Sequence, residues 1–322
     1  MAIILTMEVN MKLSVIVMSL LLFLAACSPY GNLTTMEFED LNYPYPVNYL
    51  KLEDGRSIAY VDEGKGKHTI IFVHGLGSYL PAWKKNIEVL KNDYRCIAID
   101  LPGYGKSSKE IHSGQMDFYA DVIAEFTSKL GIERFVIAGH SMGGQIGMVT
   151  SLKYPELISG LVLIDPAGFE TFHEGQKQWF REVMTVEGVA LTSNHQIRTN
   201  LNSNFYNMPN DAEFMITDRI ALKGAKDFKN YCYAVVQSVN GMVDQPVIDK
   251  LSDIDQPVLI IFGKDDQLIP NPYLNPGFTK DIAEAGHAKL PKSKLVMIEN
   301  CGHFAQFEKP AEVNAAIKDF LR

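Results

Sequence analysis

Six short runs rich in β-branched residues punctuate the chain: "TIIFVHG" (69–75), "YRCIAID" (94–100), "RFVIAG" (134–139), "LVLIDP" (161–166), "PVLIIFG" (257–263) and "KLVMIEN" (294–300). Each is apolar without strict alternation, so a strand built from it needs both faces covered. Between most of them lie helical stretches, such as "DFYADVIAEFTSKLG" (117–131) and "MGGQIGMVTSLKYP" (142–155). Buried strands alternating with helices specify a mostly parallel sheet with helices on both faces. Two earlier runs, "NYLKLED" and "SIAYVDEG", are joined at Asp54-Gly55. That pair is a hairpin signal, so the sheet is expected to start antiparallel and to reach eight strands. From about Gly168 to Gln256 no buried-strand pattern occurs. This interval reads as a helical insertion above the sheet.

Composition narrows the class. The chain has 322 residues, 47% apolar and 21% charged, which suits a packed core rather than a disordered chain. The net charge is −8 and no basic patch stands out, so nucleic acid is not an expected partner. No Cys/His cluster has metal-binding spacing, and no metal is expected.

The N-terminus reads separately. "MKLSVIVMSLLLFLAAC" (11–27) has one Lys before an apolar run that ends in small residues. Residues 13–26 fall short of the ~20 needed to span a bilayer as a helix and match the apolar region of a secretory signal. Leu24-Ala25-Ala26-Cys27 resembles the lipobox of bacterial lipoproteins, which implies lipidation of Cys27, export and membrane attachment through a lipid anchor. An uncleaved N-terminal anchor or a buried helix is the rival reading. Glu8 sits badly before a signal, so the start is either Met1 or Met11. Cys96, Cys232 and Cys301 remain, an odd number that allows at most one disulfide. Residues 28–46, polar and rich in Tyr, Pro and Asn, read as a tether. The expected organisation is therefore 1–27 signal and lipobox, 28–46 tether, 47–167 with 251–322 as the α/β core, and 168–250 as a helical cap.

The chemistry centres on "GHSMG" (139–143), placed between a strand and a helix. Gly-x-Ser-x-Gly in that setting puts a serine on a tight, strained turn, exposed at the carboxyl end of the sheet. Ser141 is the candidate nucleophile. His303, after the last strand run, is the candidate base. Asp266, after the run before it, is the candidate orienting acid. An oxyanion site needs two backbone donors: Met142 beside the nucleophile offers one, and Leu76, flanked by Gly75 and Gly77, offers the other. His140, His74 and Asp100 read as packing or loop-bracing residues, and His287 as a surface helix residue. Aromatic residues of the cap either line an acyl pocket or pack its helices.

These residues resemble those of an α/β-hydrolase fold serine esterase or lipase with a helical cap. His74-Gly75-Leu76-Gly77, Asp100 to Ser107, Gly139 to Gly143, Gly263-Lys264-Asp265-Asp266 and Gly302-His303 fall in that family's order over residues 45–322. The resemblance implies a small-molecule acyl ester substrate, an acyl-enzyme on Ser141 and no cofactor. The family spacing, with "QLIP" following, points to Asp266 as the acid; Asp265 and Asp165 are its rivals. The same scaffold also supports carbon–carbon bond hydrolysis, thioester hydrolysis, perhydrolysis, or a receptor that hydrolyses slowly.

Overall fold

A computed structural model describes residues 30–322. Cys27 and the apolar run before it lie outside the described residues. Among the described residues, no helix is long and apolar enough to cross a membrane.

Eight strands form one sheet: β1 (Asn48–Lys51), β2 (Ser57–Glu63), β3 (Thr69–Val73), β4 (Arg95–Ile99), β5 (Phe135–His140), β6 (Ile158–Ile164), β7 (Val258–Gly263) and β8 (Ser293–Ile298). Their order is β1-β2-β4-β3-β5-β6-β7-β8. β1 pairs antiparallel with β2, and β2 with β4; every later pairing is parallel. The hairpin expected at Asp54-Gly55 is present, with Gly55 at φ +92.

The unalternating runs are explained by what lies on each face. Ile71, Ile97, Ile137 and Leu161 turn to one side, against α2 (Met116–Lys129), α3 (Met142–Lys153) and α9 (Thr279–Lys289). Their chain neighbours Ile70, Ala98, Val136 and Val162 turn to the other, against α1 (Lys84–Leu90) and α11 (Pro310–Phe320). Since successive side chains point to opposite faces, consecutive positions in the middle of these strands are apolar. A short helix, α10 (Ala305–Glu308), precedes α11. Between β6 and β7 the chain forms α4 (Glu174–Val183), α5 (Val186–Ala190), α6 (Asn194–Asn202), α7 (Phe214–Ala221) and α8 (Phe228–Asp244).

The N-terminal stretch departs from the sequence reading. Residues 30–46, expected as part of a free tether, are packed as a strap across cap and core. Tyr30, Phe38 and Leu41 are buried, and Tyr43 donates to Asp100 at 2.5 Å. Isolated aromatic anchors in a polar stretch carry no period, yet each has found a seat. Cys96, Cys232 and Cys301 are all buried and free.

Asp100 ties several loops together. Fully buried, its carboxylate accepts from the Leu80 amide at 2.8 Å, the Lys106 amide at 2.8 Å and the Tyr43 hydroxyl. Asp100→Ala strands three donors in the interior. It should lower unfolding free energy by about 3 kcal/mol or more, read from urea denaturation; a change within error would contradict this bracing role.

Candidate active site

The sheet brings the candidate residues to one edge. Ser141 directly follows β5, Asp266 follows β7 and His303 follows β8. Ser141 holds φ 53, ψ −118, a conformation that L residues rarely adopt. The turn closes because its neighbours lack side chains. A Cβ on Gly139 would lie 2.2 Å from the Gly143 carbonyl oxygen, and one on Gly143 would lie 2.2 Å from that of Val73. β3, β5 and the start of α3 therefore touch backbone to backbone.

The candidate base and acid are joined. His303 Nδ1 lies 2.7 Å from Asp266 Oδ2, with both residues buried. A carboxylate accepts, so Nδ1 carries the proton and Nε2 presents a lone pair. The other carboxylate oxygen of Asp266 accepts from the amides of Leu268 (2.7 Å) and Ile269 (3.2 Å), which fixes the acid.

The rival acids separate by position. Asp265 is exposed. Asp165 is fully buried at φ 43, and its oxygens accept from the amides of Gly263 (2.8 Å) and Ala305 (3.3 Å). Burial, then the nearby Asp266, pushes the Asp165 carboxyl well above the usual range. It ties the end of β7 to the segment after His303, whereas Asp266 meets the imidazole.

The amides of Leu76 and Met142 have no hydrogen-bond acceptor among the described residues. Both stand beside Ser141: Met142 follows it, and a Cβ on Gly75 would be 3.1 Å from Ser141 Cβ. Ser141, His303 and Leu76 line one cavity of about 330 Å³, together with Phe172 and Phe180.

Two further histidines hold this arrangement. His140 Nε2 donates to the His303 carbonyl oxygen at 2.7 Å, and burial holds its pKa well below the ordinary value. It thus positions the loop that carries the base. His74 Nε2 accepts from the Leu101 amide at 3.1 Å, so its Nδ1 donates to the Gly75 carbonyl at 2.8 Å. Residue type alone did not reveal either bond. Arg219 of α7 carried no sequence signal. It donates to the Gly77 carbonyl and lies 4.9 Å from the Tyr231 ring centroid, linking cap and oxyanion loop. His287 lies on α9, its Nδ1 2.7 Å from Ser293 Oγ and away from this cavity.

The chain belongs to the alpha/beta hydrolase fold family, whose model matches residues 68–310. It is a hydrolase of this fold. It is 29% identical over 289 residues to a 2-hydroxy-6-oxononadienedioate/2-hydroxy-6-oxononatrienedioate hydrolase of Paraburkholderia phymatum, covering 85% of this chain and 94% of that one. Its structure is similar to a probable hydrolytic enzyme from Pseudomonas aeruginosa PAO1 (TM-score 0.80, 24% identity, 90% and 99% of the two chains). It is also similar to a thermophilic esterase from Thermogutta terrifontis (TM-score 0.69, 25% identity, 86% and 98%).

The buried histidines set a pH dependence. Burial pushes His74 down to about 4, against about 6.5 in an unfolded chain. Between these values the unfolded chain binds a proton that the folded one does not. Its contribution is complete above about pH 6.5 and is lost as pH falls toward 4. Compared with His74→Gln, the wild type should lose on the order of 1 kcal/mol of stability per pH unit across that window. Urea midpoints of both proteins at pH 7, 6 and 5 check this; a difference independent of pH would contradict it.

Proposed function

We propose that this protein cleaves carboxylic esters of small molecules through Ser141, His303 and Asp266. The observation that carries the reading is the His303–Asp266 pair at 2.7 Å, whose histidine lines one cavity with a serine held at φ 53. His303 Nε2 takes the Ser141 proton as Oγ attacks the ester carbonyl. Asp266 keeps the proton on Nδ1 and stabilises the imidazolium. The Leu76 and Met142 amides receive the oxyanion, and each such donor typically lowers the barrier by ~2.7–4 kcal/mol. His303 then protonates the leaving alcohol. A water, deprotonated by the same nitrogen, releases the acid and restores Ser141.

The tautomer logic supports this order of events. With Nδ1 committed to Asp266, Nε2 is the nitrogen left to accept. His140 adds no competing base, because its Nε2 proton is committed to the His303 carbonyl and its other nitrogen is buried. The likeness to a 25% identical esterase agrees with an ester substrate.

A second reading, carbon–carbon bond hydrolysis of a dienone acid, is favoured by the 29% identity to the dienedioate hydrolase. Purified protein assayed on nitrophenyl esters and on dienone acids separates the two. On the better substrate, Ser141→Ala should lose roughly 10⁴-fold or more in kcat, and Asp266→Asn about 10³–10⁴-fold. Asp265→Asn should be unchanged. Full activity in Ser141→Ala would end the proposal, and the reverse ranking of the two aspartates would move the acid to Asp265.

The chain is also read as an exported lipoprotein, held on a membrane through Cys27. This rests on the short apolar run ending Leu24-Ala25-Ala26-Cys27. A lipid anchor would place an esterase where sparingly soluble esters partition. Mass spectrometry of membrane-extracted protein should find a mature chain beginning at lipid-modified Cys27, and Cys27→Ser should remain unprocessed. An unmodified Cys27 with residues 11–26 attached would replace the lipoprotein with a plain N-terminal anchor.

A further inference from the structure

A second cavity, of about 390 Å³, adjoins the one that holds Ser141. The two share Leu76, Met184, Asn204 and Phe304 in their walls. Ser141 and His303 line the smaller cavity only. A substrate whose carbonyl oxygen meets the Leu76 amide is therefore placed at the junction, with part of it directed into the larger chamber.

The larger chamber has walls from the oxyanion loop, from α7 and α8, and from Phe38 and Leu41 of the N-terminal strap. Those two side chains are 3% and 2% exposed. They lie outside residues 68–310, the part of the chain that the family model matches.

The strap is fastened on both sides. On the cap, Tyr30 donates to Glu213 at 2.7 Å, the Met36 amide to the Ala221 carbonyl at 3.1 Å, and the Lys226 amide to Glu37 at 3.1 Å. Phe38 opens a short 3-10 turn (Phe38–Asp40) braced by Asp40 on the Glu37 amide at 3.2 Å. Its ring lies 5.8 Å from that of Tyr231 on α8. On the core, Lys109 Nζ sits 4.3 Å from the Phe38 centroid, and Tyr43 reaches Asp100. Bonds to cap and core together hold Phe38 and Leu41 in place against the chamber.

We propose that the strap is a specificity element: Phe38 and Leu41 close the larger chamber and set the size of the apolar substituent that the substrate carries there. The proposal deepens the serine hydrolase reading and rests on it. The substituent is an uncharged hydrocarbon group. The charged residues of this chamber are already engaged, Arg219 with the Gly77 carbonyl and Asp218 with the Tyr79 hydroxyl at 2.6 Å. A charged substituent would have to compete with these bonds in a largely apolar chamber.

The test uses the purified protein and alkyl fluorophosphonates from ethyl to dodecyl, reading the rate of Ser141 labelling at each length. Phe38→Ala and Leu41→Ala enlarge the chamber and should raise the dodecyl-to-ethyl ratio about tenfold, while Phe38→Trp should lower it about tenfold. Where Phe38→Trp fails to fold, by circular dichroism, Leu41→Phe takes its place. Opposite shifts from enlarging and filling support the proposal, since general destabilisation would move both the same way. Unchanged ratios in folded variants, or shifts of one sign, overturn it. If no fluorophosphonate labels the wild type, the hydrolase reading fails. Decanoate affinity, measured by calorimetry, then decides the strap separately. Weakening by Phe38→Trp supports it and equal affinity overturns it.

Discussion

The site depends on one close contact of backbone with backbone. Gly143 lies so near the Val73 carbonyl, and Gly139 so near Gly143, that a single added carbon at either would overlap an oxygen at 2.2 Å. This contact holds Ser141 in a conformation that costs of order 1–3 kcal/mol when a side chain is present. It also brings the loop after β3 against the elbow after β5, because these strands are neighbours. The two donor amides are thereby made adjacent. The strain is borne by a turn that follows a wholly buried strand, β5, beside β3, which is buried from its second residue on.

The remaining groups reach that turn from farther away. β7 lies two places from β5, and β8 three. Strands are spaced about 4.8 Å apart, so later residues need longer arms to return. Ser141 comes immediately after its strand, Asp266 three residues after β7, and His303 five after β8. Each longer arm is separately fixed. The Leu268 and Ile269 amides hold Asp266, Asp165 secures the segment after His303, and His140 grips the His303 carbonyl. Hydrogen bonds around the candidate triad thus do the work that strand adjacency does for the serine.

Much of this was legible before any coordinates. Strands buried on both faces announce themselves as unbroken apolar runs, and β3 to β8 each overlap one of the six runs, to within three residues at either end. The candidate elbow, base and acid were readable because each lies within a few residues after such a run. The strap was not legible. Tyr30, Phe38, Leu41 and Tyr43 are scattered through a polar, proline-containing stretch, and their burial depends on surfaces distant in the chain. Arg219 was hidden for a similar reason: nothing local separates a guanidinium facing water from one facing a loop carbonyl. Between Asp265 and Asp266, nothing local in the sequence tells which carboxylate turns inward to His303.

The three described cysteines also shape how the protein meets its surroundings. Burial pushes Cys96 up to about 12 and Cys232 up to about 11, and Cys301 is raised as well. Oxidants and disulfide-exchange catalysts act on the thiolate, and at neutral pH these sulfurs keep their protons. The folded domain is therefore indifferent to redox poise. Among the described residues it neither draws strength from cross-links nor offers an exposed thiol through which it could be scrambled.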